Sequence, residues 1–134
     1  MSVTSIMTTN VISVMPNTPI YEALDLLAKH RISGLPVVDE DENVVGILSE
    51  KDVLRILIDR KLGLLSIVED YMSRNVISFS EEDSAIEICK FFIRNNIRRV
   101  PIVRDGRLVG IVSRADIIRL ILEAKDKISN FRYV

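Results

Sequence analysis

The 134-residue chain is 48% hydrophobic and 28% charged, the balance of one folded domain with enough apolar material for a core. Its net charge of −1 removes any general attraction to nucleic acid or to an anionic membrane. A single cysteine, Cys89, excludes an internal disulfide framework and leaves the compartment open, with a reducing cytosol the default.

The first twenty-one residues carry no charge, yet Ser, Thr and Asn interrupt them throughout. They lack the basic start and apolar centre of a signal peptide and the sustained apolarity of a membrane span, so the chain is read as soluble and cytoplasmic. A short extended piece, Val11–Val14, leads to Thr18-Pro19, which suit an N-cap and a first helical position. Ile20, Ala23, Leu24, Leu27 and Ala28 then form one apolar helical stripe. His30, the only histidine, closes that helix and has no partner set for a metal.

A strand over Leu35–Val38 begins beside a proline, Asp39–Asn43 turn the chain, and Val44–Leu48 return as its partner. A helix is predicted from Ser49 to about Ile58. In the connection that follows, Gly63 is a break and Ser66-Ile67-Val68-Glu69 resembles a capping box for a short helix.

The second half reads the same way. Val76–Phe79 is extended, Asp83 is the expected N-cap, and Ala85, Ile88, Cys89, Phe92 and Ile93 repeat the stripe, with Cys89 as a small core residue. Val100–Val103 and Leu108–Val112 form a hairpin across Arg104-Asp105-Gly106-Arg107, where Asp-Gly favours a primed turn. A last helix is predicted from Ser113 to about Ala124, and from Lys125 a tail stays polar until Phe131 and Tyr133.

These halves are copies. At an offset of 65 residues, Met7, Asn10, Val11, Ile12, Ser13, Glu22, Ile32, Pro36 and Val38 meet identical residues. After a one-residue slip in the turn, Val45, Gly46, Ile47, Ser49, Asp52 and Arg55 meet Val109, Gly110, Ile111, Ser113, Asp116 and Arg119. Fifteen identities at fixed spacing make the chain two repeats of a β-α-β-β-α unit, an α+β fold. The units are taken as residues 1–60 and 71–124, with 61–70 as linker and 125–134 as tail. The copies differ in charge: residues 1–70 hold six Lys/Arg against eleven Asp/Glu, and residues 71–134 hold twelve against eight.

The repeated Gly-x-x-Ser-x-x-Asp turn carries the candidate chemistry. Ser at an N-cap with Asp three residues on makes a capping box, which alone explains both residues in both copies. The other reading is binding: an ionised Asp accepts from two ribose hydroxyls while Ser donates to phosphate beside free helix N–H groups. A cap leaves acceptor capacity free, so both can hold. Arg98 and Arg99, ahead of the second copy's apolar strand, are either solvated charges or a guanidinium pair suited to phosphate oxygens. The chain holds no phosphate loop, dinucleotide fingerprint, His-Glu-x-x-His site or Ser-His-Asp and Cys-His spacing, so it is read as not an enzyme.

The ordered set of motifs resembles the tandem cystathionine-β-synthase (CBS) domain pair over about residues 3–122. The residues that carry it are the Met-x-x-Asn-Val-Ile-Ser openings, Ile32-Ser33-Gly34-Leu35-Pro36-Val37-Val38-Asp39, Ile97-Arg98-Arg99-Val100-Pro101-Ile102-Val103 and the two Ser/Asp turns. The resemblance implies two units packed sheet to sheet about a pseudo-two-fold axis, with two clefts for adenosine-containing ligands. One cleft would join Ile47, Ser49, Lys51 and Asp52 to Asn75, Ile77, Ile97, Arg98 and Arg99. The other would join Ile111, Ser113, Ala115 and Asp116 to Asn10, Ile12, Ile32 and Ser33, with Arg114 compensating in part for the missing arginine pair.

The implied function is a stand-alone sensor for AMP, ADP, ATP or S-adenosylmethionine that forms a homodimer and modulates an unidentified partner protein. It needs no cofactor, metal or membrane, and the Asp52 cleft is expected to hold the phosphorylated ligand more tightly. The alternatives are a dimerising scaffold with no nucleotide bound and, more weakly, a nucleic-acid binder through Arg94, Arg98, Arg99, Arg104 and Arg107, which lacks interleaved aromatics.

Overall fold

The computed structural model describes residues 2–59 and 65–132. The fold is α+β, and the chain divides into two compact units that do not follow chain order. One comprises Ile12–Ile77 with Asp105–Leu108; the other comprises Met1–Val11, Ser78–Arg104 and Val109–Val134.

In the first of these, α1 (Ile20–His30) precedes the hairpin β1 (Gly34–Val38) and β2 (Val44–Ser49), and α2 (Glu50–Leu54) runs on as a 3-10 turn over Arg55–Leu57. The expected stripe on α1 is narrower than its sequence: Ile20, Ala23 and Leu27 are buried, whereas Leu24 is half-buried and Ala28 exposed. The start differs by one residue. Pro19 takes the cap position with extended backbone, and Thr18 Oγ1 instead accepts from Met15 N at 3.0 Å, closing the preceding turn. The helix ends where Arg31 turns left-handed (φ 52°) and donates its N–H to the Leu27 carbonyl.

Strands β1 and β2 are antiparallel, pairing Leu35 with Leu48 and Pro36 with Ile47. Leu35 and Leu48 are fully buried, each contributing about 2–3 kcal/mol by burial. The strand expected to begin beside Pro36 starts earlier, at Gly34, so the proline sits mid-strand. It is tolerated because Ile47 turns its own N–H and carbonyl away, to Ser73 at 2.9 and 2.8 Å, so the pair needs no proline donor. On the other side of β1, Val14 lies parallel, donating to Pro36 O at 3.1 Å and accepting from Val38 N at 2.8 Å.

The Asp39 carboxylate holds the β1–β2 turn, accepting from Asp41 N and Asn43 N, both at 2.9 Å. The segment Asp105–Leu108 joins this turn through Val44 N to Gly106 O and Leu108 N to Glu42 O. Gly63 lies outside the described residues. The short helix expected nearby forms as a 3-10 turn, Val68–Asp70, but its cap is Asp70, whose carboxylate accepts from Ile67 N at 3.0 Å. Ser66 is buried instead, and Val68 and Tyr71 join the core of Ile20, Ala23, Leu27, Leu35, Val37 and Leu48.

In the other unit, β3 (Phe79–Ser80) runs parallel to β4 (Arg99–Arg104), which is bonded to β5 (Arg107–Ser113), and α3 (Ala85–Arg94) and α4 (Arg114–Arg132) complete it. Ser84, not Asp83, caps α3, its Oγ accepting from Ile86 N and Glu87 N; Asp83 reaches back to Ser80 N at 2.7 Å. Ala85, Ile88 and Phe92 are buried and Cys89 packs half-buried on them, whereas Ile93 is 80% exposed. The β4–β5 turn is the expected primed one, with Asp105 at φ 52° and Gly106 at φ 83°. Helix α4 runs through residues 125–132, read from sequence as a tail, because no glycine or proline interrupts it. Val3, in a 3-10 turn at the start of the chain, is fully buried in this unit's core beside Ile88, Val100, Ile102 and Val112.

Candidate functional site

At the β2–α2 junction the capping box forms. Ser49 has extended backbone; its Oγ accepts from Asp52 N at 3.3 Å, and Asp52 Oδ2 accepts from Ser49 N at 2.8 Å and Ser49 Oγ at 2.9 Å. The Ser49 hydroxyl proton is therefore committed to Asp52, and donation to a phosphate requires that bond to be exchanged. Asp52 Oδ1 faces Arg55 Nη2 at 3.7 Å. The paired Ile47 and Ser73 lay the second copy's opening motif along the end of β2, so close that a Cβ on Gly46 would stand 2.8 Å from Met72 Sδ and 3.0 Å from Ser73 O. Glycine is required there by approach, not by turn. Ile47, Ser49, Lys51, Asp52, Asn75 and Ile77 thus belong to one compact unit, and Lys51, Asn75 and Ile77 are exposed.

The β5–α4 junction repeats this chemistry. Asp116 Oδ2 accepts from Ser113 N at 2.7 Å and Ser113 Oγ at 3.0 Å, and Ser113 Oγ accepts from Asp116 N at 3.3 Å. Here the first copy's opening motif is the neighbour: Thr8 and Ile111 exchange hydrogen bonds at 2.8 and 2.9 Å, and a Cβ on Gly110 would meet Met7 Sδ at 2.7 Å. Asn10, Ile111, Ser113, Ala115 and Asp116 share this unit, as do Ile97, Arg98 and Arg99; Ile12, Ile32 and Ser33 belong to the other. Each repeat's opening methionine motif therefore packs on the other repeat's Ser/Asp turn.

Two arginines differ from their sequence reading. Arg114 does not serve Asp116. Its guanidinium donates to the carbonyls of Ile97 (2.9 Å), Asn95 (2.8 Å) and Phe92 (3.2 Å), capping the C-terminal end of α3 and lying over the Phe92 ring. The cation on Asp116 is Arg119, hydrogen-bonded to Oδ1 from one helical turn on. Sequence reasoning passed over it, although Arg55 and Arg119 are among the repeat identities and stand three residues after each Asp. Arg98 is exposed, while Arg99 Nε is buried with no hydrogen-bond partner among the described residues. Among those residues no group of three or more His, Cys, Asp or Glu could hold a metal, and no helix is long and apolar enough to cross a membrane.

Known proteins are similar to this chain in sequence and fold. The CBS domain family matches residues 3–59 and again 68–123. An uncharacterised protein of Methanocaldococcus jannaschii is 34% identical over 119 residues, 89% of this chain and 42% of that protein. A 17.7 kDa protein of Acidianus ambivalens is 34% identical over 90% of this chain and 73% of its own length. The inosine-5′-monophosphate dehydrogenase of M. jannaschii is 35% identical over 82% of this chain, but only 21% of the enzyme is spanned.

Among solved structures, CBSX2 in complex with AMP has a TM-score of 0.84 at 29% identity, covering 92% of this chain and 98% of that one. The CBS domain pair of protein MJ0100, in complex with 5′-methylthioadenosine and S-adenosyl-L-methionine, has a TM-score of 0.80 at 35% identity with the same coverage. AcuB from Vibrio cholerae, at 21% identity and a TM-score of 0.87, shares the fold. With both repeats matched and the fold shared along nearly its whole length, the chain belongs to the CBS domain family as a tandem pair.

Proposed function

We propose that this chain is a regulatory module that binds an adenosine nucleotide and thereby changes its affinity for a partner protein. The observation that carries this reading is that two relatives aligned over 92% of this chain hold AMP in one case and 5′-methylthioadenosine with S-adenosyl-L-methionine in the other. These ligands share adenine and a ribose diol. Asp52 supports the reading because its capping box uses one carboxylate oxygen and leaves the other to accept hydroxyls. Arg99 supports it because a buried N–H without an acceptor is costly unless a ligand oxygen supplies one. In this proposal AMP, ADP or ATP lies with its ribose on the Asp52 turn, and the Asp116 turn binds more weakly.

The test is calorimetric titration of the full chain with AMP, ADP, ATP and S-adenosylmethionine. A charge-assisted hydrogen bond contributes about 1.5–3 kcal/mol, so Arg98→Ala or Arg99→Ala should weaken AMP about ten-fold or more, and Asp52→Ala likewise. Unchanged affinity in all three variants sinks the reading.

A scaffold role has its own support in the apolar residues that α3 and α4 expose: Ile93 at 80%, Ile118 at 58%, Ile121 at 60% and Leu122 at 53%. We take these as a homodimer face rather than as a rival to ligand binding. Light scattering should give a dimer for the chain and a monomer for Ile93→Glu with Ile121→Glu. The dehydrogenase relatives supply no reaction to assign, since the likeness spans a fifth of the enzyme, and a cytoplasmic setting remains the expectation drawn from the single cysteine.

A further inference from the structure

The two Ser/Asp turns are alike as caps and unlike as acceptors. A carboxylate offers about four lone-pair positions. In each turn, Oδ2 spends two of them on the serine N–H and hydroxyl. What remains on Oδ1 depends on the arginine three residues later. Arg119 donates to Asp116 Oδ1 and leaves one position, on a residue only 4% exposed. Arg55 stands at 3.7 Å from Asp52 Oδ1, beyond hydrogen-bond length, and donates to the Tyr71 carbonyl at 3.3 Å instead. Asp52 keeps two positions, and its side chain is 20% exposed.

The difference lies in what each arginine meets: Arg55, at the start of a 3-10 turn, finds the Tyr71 carbonyl, whereas Arg119, inside the unbroken α4, meets Asp116 one turn before it. A ribose diol brings two O–H donors and needs two acceptor positions. Asp52 can meet both; Asp116 can meet one.

We propose that Arg119 is a specificity-determining latch on Asp116, holding that turn in a state that accepts a diol poorly, and that releasing it creates a second adenosine site. This rests on the reading of the Ser/Asp turns as ribose acceptors. Loss of a cation should ordinarily weaken a phosphorylated ligand, so a gain on removing Arg119 distinguishes the latch from a general charge effect.

The experiment is AMP titration by calorimetry on the full chain and on Arg119→Met, which keeps the aliphatic stem, with circular dichroism to confirm folding. The expected result is one AMP per wild-type chain, removed by Asp52→Asn and kept in Asp116→Asn. In Arg119→Met a second AMP should bind, or the second site should tighten about five-fold or more, the worth of one hydrogen bond. Asp116→Asn added to Arg119→Met should remove that gain, and Arg119→Lys, still able to donate, should behave as wild type. Wild-type binding with no gain in Arg119→Met, or wild-type binding lost in Asp116→Asn but not in Asp52→Asn, overturns the latch alone. No AMP binding by any form overturns the ribose-acceptor reading and the latch with it.

Discussion

Replacing Arg114 by alanine should destabilise the protein far more than its half-exposed position suggests. The side chain spans three carbonyls at the end of α3, where a helix leaves its last acceptors unsatisfied. The bond to Asn95 O, at 2.8 Å and partly buried, is the strong one; a charge-assisted bond of that kind costs about 1.5–3 kcal/mol to remove. The bond to Phe92 O is long at 3.2 Å and the acceptor on Ile97 is exposed, so water replaces much of both. The Phe92 ring, 5.9 Å from the guanidinium carbon, adds about 0.5 kcal/mol. The sum is about 3 kcal/mol.

Urea unfolding of wild type, Arg114→Ala, Arg114→Lys and Glu50→Ala tests it. Glu50 occupies the matching position of the first repeat, is exposed, and should cost under about 0.5 kcal/mol. Lysine restores one donor without the fork and should recover about 1 kcal/mol. If Arg114→Ala falls within about 0.5 kcal/mol of Glu50→Ala, the guanidinium is a surface charge and the capping argument fails.

Gly110→Ala should cost about 1–3 kcal/mol by overpacking, since its Cβ would lie 2.7 Å from Met7 Sδ and 3.1 Å from Thr8 O. Met7→Ala in the same chain should offset about 1 kcal/mol of that cost, so strictly additive denaturation midpoints would count against the contact. Acid stability follows from two carboxylates. Backbone hydrogen bonding, first from Asn43, holds Asp39 below its ordinary value, and the Arg104 guanidinium does the same for Glu81. Both folded values are depressed, so the stability they contribute is present above the ordinary carboxylate range of about pH 4 and is lost as pH falls through the lower folded values. Asp39→Asn with Glu81→Gln should flatten the fall of the urea midpoint between about pH 5 and pH 3; parallel curves for variant and wild type would refute the assignment.

The helices, the two hairpins, the two-fold repetition, the primed turn at Asp105-Gly106 and the capping boxes at Ser49 and Ser113 were legible in the sequence. Each depends on residues within a few positions of one another. The opening strands were not legible, since Val11–Val14 forms only a bridge at Val14 and Val76–Phe79 yields only Phe79–Ser80. Local chemistry also blurred where two neighbours could play one part. Thr18 and Asp83 close the preceding turns and leave the cap positions to Pro19 and Ser84, and Asp70 rather than Glu69 accepts from Ile67 N.

What the sequence by itself determined, then, was the unit and its capping turns. The tertiary structure alone decided three further matters. The opening methionine motifs cross, Met7 onto Gly110 and Met72 onto Gly46, because packing follows burial and not chain order. Arg114 leaves the nearby Asp116 for three carbonyls that are seventeen or more residues away along the chain and in reach only once α3 and α4 pack together. And two identical Asp-x-x-Arg spacings become unequal, because the Tyr71 carbonyl, sixteen residues on, takes the Arg55 guanidinium while Arg119 stays on Asp116. Each of the three depends on distant groups meeting in space, which spacing along a chain does not encode.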